Sequence, residues 1–105
     1  MLRVKSFLIV ERNTTRDYLD VAALSHHLGP RKSVGALERM NELYGEFAGE
    51  GGDILTSVVT KLAAPDPYDL TDVDLTEYKG IIAPWDNWRS VEKQCRLVAV
   101  AILRR

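Results

Sequence analysis

Residues 2–11, with the sequence LRVKSFLIVE, decide which fold class the chain predicts. The stretch is rich in β-branched and aromatic side chains and is followed by Asn13-Thr14-Thr15, a pattern typical of a buried strand that ends in a turn. One strand cannot satisfy its backbone alone, and residues 79–83 (KGIIA) form a second short apolar run that can pair with it. The sequence therefore predicts a small sheet, to which the segment at Ile54 can add a strand. Pairing with a second copy of the chain would also satisfy the first strand.

Three other segments carry helical patterns. Thr14 and Asp17 approximate a capping box for a helix at residues 15–28, which Gly29-Pro30 ends. Ser33 is predicted to cap a second helix, whose apolar positions recur at helical spacing: Leu37, Met40, Tyr44 and Phe47. Asp86 or Asn87 is predicted to cap a last helix with an apolar face formed by Val91, Cys95, Val98 and Ile102.

Residues 53–63 fit both a helix and a strand, because their apolar side chains recur at helical spacing while many are β-branched. Pro65 and Pro67 then interrupt regular structure, and the acidic stretch after them is predicted to be a surface loop. The predicted fold class is therefore α+β. We expect a helix-rich single domain over residues 1–105, with two or three main helices packed on a small sheet.

The composition favours one folded domain in a reducing compartment. The 105 residues are 46% hydrophobic and 28% charged, which is ordinary for a domain that closes a core without metal or disulfide. Fourteen basic and fifteen acidic residues give a net charge of −1, which disfavours nucleic acid and anionic membranes as partners. Cys95 is the single cysteine, which favours a cytoplasmic location, and the apolar runs are too short to span a bilayer.

An aromatic and acidic segment before the last helix is the predicted interaction surface. Aromatic side chains are enriched at binding hot spots, although burial in the core is the more ordinary role for the two tryptophans. The partner is predicted to be another protein or a second copy of the chain. The residues predicted to bind it are Tyr68, Asp72, Asp74, Tyr78, Trp85 and Trp88.

Catalytic groups do not assemble convincingly in the sequence. No nucleophile with a neighbouring base, closed metal set or phosphate loop is evident, so no cofactor and no catalytic residue are predicted. The function predicted first is that of a small non-catalytic protein that binds or regulates another protein.

An acidic stripe suggests a first alternative. Glutamates recur every four residues from Glu38 to Glu50, and Asp53 follows. The segment Glu50-Gly51-Gly52-Asp53, before an apolar run, resembles the second metal-binding motif of MazG-type nucleotide pyrophosphohydrolases. The resemblance implies magnesium-dependent nucleotide hydrolysis with these ligands: Glu42, Glu46, Glu50 and Asp53. A solvated helix face explains the same pattern without a metal.

Residues 28–37 (LGPRKSVGAL) suggest a second alternative. They resemble the turn and the start of the recognition helix in phage repressors. The resemblance implies a helix-turn-helix regulator that contacts DNA through Arg31 and Lys32. The glutamates of the predicted second helix oppose phosphate contact, so nucleic acid is the less favoured partner.

Overall fold

The computed structural model describes residues 1–49 and 52–105. This part of the chain contains six α-helices: α1 (Leu2–Arg12), α2 (Thr15–Leu28), α3 (Pro30–Leu37), α4 (Met40–Tyr44), α5 (Ile54–Ala63) and α6 (Trp88–Arg104). Short 3-10 turns lie at Gly45–Phe47, Leu70–Asp72 and Leu75–Glu77. The predicted α+β class is wrong, because the described residues form no sheet and only one isolated bridge, between Gly49 and Gly52.

Residues 2–11, the predicted first strand, lie within α1. Leu2, Ser6 and Ile9 are buried, and their spacing of four and three residues places them on one face of a helix. A helix satisfies its backbone hydrogen bonds internally, so this segment needs no partner strand. Burial of that face outweighs the local β propensity, which depends on context. Asn13 ends the helix in the left-handed conformation, with φ of 52°.

Residues 79–83, the predicted second strand, lie in a segment of turns and irregular structure. Gly80 has φ of 77°, and the side chain of Ile82 is 73% exposed. Turn hydrogen bonds hold the segment: the N–H of Ile81 donates to the Tyr78 carbonyl, and that of Trp85 to the Ile82 carbonyl. With residues 2–11 in a helix, this apolar run has no strand to pair with among residues 1–49 and 52–105.

The helices predicted at residues 15–28 and before the C-terminus are confirmed. The Thr14 hydroxyl accepts a hydrogen bond from the Asp17 N–H, and Gly29 follows the last residue of α2 with φ of 84°. Asn87 caps α6, because its side-chain oxygen accepts a hydrogen bond from the Arg89 N–H at 3.0 Å. All four core positions predicted for α6 are buried: Val91, Cys95, Val98 and Ile102.

The predicted second helix is instead two helices, α3 and α4. Helix α3 begins at Pro30, so Ser33 lies in its first turn and does not cap it. The buried Ser33 hydroxyl donates to the Ser25 carbonyl of α2 at 3.2 Å. Glu38 and Arg39 interrupt the helical chain, which allows α3 to pack on α2 and α6 while α4 packs on α5.

Residues 53–63, which fit both patterns, form a capped helix. Asp53 is the N-cap of α5, and its carboxylate accepts a hydrogen bond from the Thr56 N–H at 2.7 Å. The buried positions of α5 recur at helical spacing: Ile54, Leu55, Val58 and Leu62.

Helix α6 is the shared partner in the core, since α2, α3 and α5 all pack against it. Cys95 sits in this interface, with its sulfur 3.9 Å from the Tyr18 carbonyl of α2. Burial raises the pKa of the Cys95 thiol to about 12. The thiol is therefore neutral and packs as a small apolar group.

Candidate functional site

A groove runs along α6, between the end of α2, the start of α3 and the loop before α6. One part, of about 340 Å³, is lined by residues that include Ser25, His26, Pro30, Ser33, Gln94 and Leu97. A second part, of about 310 Å³, shares His26, Gln94 and Leu97 and extends to Pro84, Trp85, Ser90 and Lys93. Because the parts share these residues, we treat them as one surface, the α6 groove.

The floor of the α6 groove is a small polar network that ties three helices together. The Gln94 side-chain amide of α6 donates to the Ser25 hydroxyl of α2 at 3.1 Å. The Ser25 hydroxyl donates in turn to the Ala22 carbonyl at 3.2 Å, and the Ser33 hydroxyl of α3 donates to the Ser25 carbonyl. Both serine hydroxyls are buried and partnered, so the floor keeps its shape without a ligand.

The walls of the α6 groove are largely apolar. Leu97 is 53% exposed, whereas the core positions of the same helix are buried. The ring of Trp85 stands edge-on to the ring of His26, with the centroids 5.3 Å apart. This contact fixes the loop before α6 against α2 and forms one end of the groove.

Charges of both signs lie close to the α6 groove. Lys93 lines it. Arg31 and Lys32 are exposed beside the lining residue Pro30, and Asp86 is exposed beside the lining residue Trp85. Residues 88–105 contain five basic residues and one acidic residue, whereas residues 64–87 contain six acidic residues and one lysine. Basic residues are thus in excess on α6, and acidic residues are in excess on the preceding loop, whose Pro84 and Trp85 form part of the groove.

The aromatic residues predicted to bind a partner are distributed along α2. The Arg16 guanidinium lies 5.4 Å from the centre of the Tyr78 ring, and Trp88 stands edge-on to Tyr18 with centroids 6.0 Å apart. Together with the Trp85 contact, these interactions hold the loop against α2. Tyr78, Trp85 and Trp88 are all half-buried, as expected of anchors.

The remaining predicted partner residues are exposed. Tyr68 is 73% exposed, and Asp72 also lies at the surface. The Asp74 carboxylate accepts hydrogen bonds from the N–H and the hydroxyl of Thr76, at 3.0 and 2.7 Å, which hold a local turn and lower the pKa of Asp74. Binding of a partner by all six residues together stays a prediction.

The acidic loop is fastened to the junction of α1 and α2. One carboxylate oxygen of Asp69 accepts hydrogen bonds from the Thr15 N–H at 2.8 Å and from the buried Thr15 hydroxyl at 2.7 Å. The Asn13 amide donates to the Asp66 carbonyl, and the Tyr68 N–H donates to the Asn13 carbonyl. These bonds fix the course of the loop.

The predicted magnesium ligands lie on separate elements. Glu42 of α4 pairs with Arg39 at 3.1 Å, Glu46 is in a 3-10 turn, and Asp53 caps α5. Glu50 lies outside the described residues. Within residues 1–49 and 52–105, no group of three or more His, Cys, Asp or Glu side chains is placed to hold a metal ion.

The predicted DNA-contacting residues, Arg31 and Lys32, are exposed in the first turn of α3. Gly29 alone connects α2 to α3, whereas helix-turn-helix proteins use a connection of about three or four residues. The connection between α2 and α3 is therefore shorter than the turn of a helix-turn-helix motif.

Sequence reasoning identified Trp85 of the α6 groove and missed His26, Gln94 and Leu97 as parts of one surface. A signal for Leu97 was present. Leu97, Val100 and Leu103 recur every three residues on α6, off the core positions, and all three are exposed. Such a second apolar row on a helix marks a surface that packs less against its own core.

Comparison with known proteins finds transporters named MmpL11. The chain is 35% identical over 102 residues to the "Heme uptake protein MmpL11" of Mycobacterium tuberculosis and to the "Probable transport protein MmpL11" of Mycobacterium bovis. It is 31% identical, over the same length, to the "Mycolic acid-containing lipids exporter MmpL11" of Mycolicibacterium smegmatis. Each match covers 97% of this chain, which spans about a tenth of the length of these curated relatives.

No family model and no solved structure matches the chain. In the part of the chain that the structure describes, none of the helices has the length and apolar character needed to cross a bilayer.

Proposed function

We propose that this chain is a non-catalytic protein-binding domain of the kind that forms one segment of an MmpL11-type transporter. One observation carries the proposal: the match covers 97% of this chain within a tenth of a much longer relative. A match of that shape is what a shared domain produces, because a domain has its own core and is kept as a unit. We infer that the domain regulates such a transporter by contacting it or a protein attached to it.

The chemistry of the α6 groove supports binding and not catalysis. Its buried hydroxyls, on Ser25 and Ser33, are committed to backbone and amide partners. The nearby Cys95 thiol is buried, and its raised pKa keeps it from forming the thiolate that a nucleophile requires. The groove therefore offers shape, apolar contact and one lining cation, Lys93.

A cytoplasmic location is part of the same proposal. The chain has a single cysteine, which lies in the core, and domains of this size that function in oxidising compartments usually rely on several disulfides. A regulatory domain on that side would meet cytoplasmic partners of the transporter.

A chimaera tests the proposal. The matched segment of the Mycolicibacterium smegmatis relative is replaced by residues 1–105 of this chain, and export of mycolic acid-containing lipids is measured in cells that lack the native copy. We expect export to persist in the chimaera and to fall when the segment is replaced by an unrelated helical domain of similar length. Loss of export in a chimaera present in the membrane at the native level contradicts the proposal.

Binding is measured directly in a second arm. This chain, tagged and purified, is mixed with the same relative from which the matched segment has been deleted, in detergent. If the segment normally contacts the transporter itself, we expect the chain and the deleted transporter to elute together. If the deleted transporter does not retain the chain and the chimaera is also inactive, the domain assignment is wrong.

A further inference from the structure

We propose that the outer face of α6 rests on the surface of an anionic phospholipid bilayer. This inference rests on the proposed function in one respect, because a segment of a transporter is held close to a membrane. Three features of α6 carry it: the composition of its exposed face, the pairing of the nearby carboxylates and the shape of the surface around it.

The exposed face of α6 consists only of basic and aliphatic residues. On α1, by contrast, Glu11 and Arg12 expose charges of both signs, as is ordinary for a helix on the surface of a soluble domain. Cations interspersed with aliphatic side chains are typical of helices that lie in the plane of an anionic bilayer. The exposed residues of α6 are Arg89, Lys93, Arg96, Leu97, Val100, Leu103 and Arg104.

Positive charge is concentrated in the C-terminal part of α6. Residues 93–105 contain four basic residues and no acidic one. The exposed Asp86 lies before the first residue of α6, and Glu92 lies in its first half, so the acidic groups are at the other end of the helix. We therefore expect the bilayer contact to be centred on residues 93–104.

The carboxylates next to this part of α6 already have partners. Glu92 pairs with Arg96 at 3.4 Å, and Glu38 pairs with Arg105 at 3.5 Å. Each pair cancels one cation. Among residues 1–49 and 52–105, no carboxylate forms an ion pair with Lys93 or Arg104. These two side chains are therefore the ones that can bind lipid phosphates.

The shape around α6 suits a flat partner. Leu97 lines the α6 groove, whereas Leu103 lines a separate hollow of about 420 Å³ beside α5, with Thr56 and Val59. Helix α6 thus forms a ridge between two hollows, and Val100 is 42% exposed on it. A bilayer surface can contact the length of this ridge without entering either hollow.

The net charge of −1 hides this surface, because it averages a basic α6 with an acidic loop. The potential of an anionic membrane decays within about 10 Å at physiological salt, so it acts on the charge of the docked face and not on the net charge of the domain. The excess of basic residues on α6 is therefore the relevant quantity.

The aliphatic residues favour a bilayer over nucleic acid. The phosphate backbone of DNA attracts the same cations, but that attraction is almost entirely electrostatic. The interfacial region of a bilayer accepts both kinds of side chain, because apolar groups enter it while lysine and arginine extend to the phosphates. Leu97, Val100 and Leu103 would be covered only on a bilayer.

Vesicle flotation with the full chain tests the proposal. One set of vesicles is phosphatidylcholine, and the other contains equal parts of phosphatidylcholine and phosphatidylglycerol. We expect binding to the anionic vesicles to be at least about tenfold tighter and to weaken steeply with salt. Equal binding to the two sets, or binding to neither, overturns the inference.

Charge substitutions localise the contact. One cation close to an anionic surface raises affinity about fivefold, so the double variant Lys93→Gln with Arg104→Gln should weaken binding about twentyfold. The control double variant, Lys79→Gln with Arg39→Gln, removes the same charge from exposed residues outside α6 and should stay within about twofold. Circular dichroism confirms that the variants are folded. Equal losses in the two double variants contradict a contact through α6.

An apolar contact is measured with an environment-sensitive fluorophore on Val100→Cys. Cys95 is buried, so the new cysteine is the one that reacts. We expect the emission to shift to the blue on anionic vesicles, and the same label on Leu43→Cys of α4 to keep its emission. The same shift at both positions, or at neither, contradicts insertion of the α6 face.

A DNA duplex is offered to the chain and to Leu103→Gln at the same salt concentration. We expect Leu103→Gln to weaken vesicle binding about threefold. Duplex binding that is tighter than vesicle binding and unchanged in Leu103→Gln would replace the bilayer with nucleic acid. A working chimaera without vesicle binding refutes this inference alone, whereas vesicle binding with an inactive chimaera refutes the domain assignment alone.

Discussion

Replacing Ser6 by alanine is expected to stabilise the protein. The Ser6 side chain is fully buried on the inner face of α1, and its hydroxyl has no hydrogen-bond partner among the described residues. An unsatisfied buried hydroxyl costs about 1–3 kcal/mol, and alanine is also the better helix former by about 0.5 kcal/mol. The void left by one oxygen offsets a few tenths of a kcal/mol. We therefore expect the free energy of unfolding to rise by about 1–3 kcal/mol.

Urea unfolding followed by circular dichroism measures this change, and the slope of the transition should be the same for both proteins. In a thermal scan the same gain raises the Tm by about 4–8 °C per kcal/mol. Ser33→Ala is the matched control, because that hydroxyl is equally buried but donates a hydrogen bond, and its loss should cost about 1 kcal/mol. If Ser6→Ala lowers the free energy of unfolding, the hydroxyl has a partner, such as the carbonyl one turn before it, and the argument fails.

Two further predictions concern the loop and the buried thiol. Asp69→Ala removes both hydrogen bonds to Thr15 and should lower the free energy of unfolding, measured in urea, by about 2 kcal/mol. Asp72→Ala, at an exposed residue, should change the free energy of unfolding by less than about 0.5 kcal/mol. Equal effects of the two substitutions would show that Asp69 does not hold the loop. The raised pKa of Cys95 means that the native state keeps a proton which the unfolded chain releases. The free energy of unfolding should therefore fall as pH rises from about 9 to 12. The slope of this fall is at most about 1.4 kcal/mol per pH unit. The fall should be shallower in Cys95→Ala, and parallel curves would mean that the thiol already ionises in the native state.

Helices with a local cap could be predicted from the sequence. Thr14 with Asp17, and Asn87 before α6, provide hydrogen bonds within three residues, so the evidence lies beside the helix that it starts. The strand prediction for residues 2–11 failed for the opposite reason. Ser6 occupies a core position, and a polar residue there hides the helical spacing of Leu2 and Ile9 behind a run of β-branched side chains.

The candidate site was less predictable than the fold. Trp85 was identified because an aromatic residue in an acidic segment is conspicuous. Gln94 and Ser25 meet across 69 positions of sequence, and no local pattern encodes that contact. The break at Glu38 and Arg39 was also hidden, because the apolar spacing of Leu37 and Met40 continues across it although these two residues form a turn.

Helix α6 packs against α2, α3 and α5, and it follows all three in the chain. A ribosome therefore delivers the earlier helices without their shared partner, and the apolar surface that packs on α6 remains uncovered until residues 88–104 have left the exit tunnel. During that interval the nascent chain is a substrate for chaperones that shield apolar surface. A stop codon anywhere before α6 would yield an aggregating fragment and not a shorter working protein.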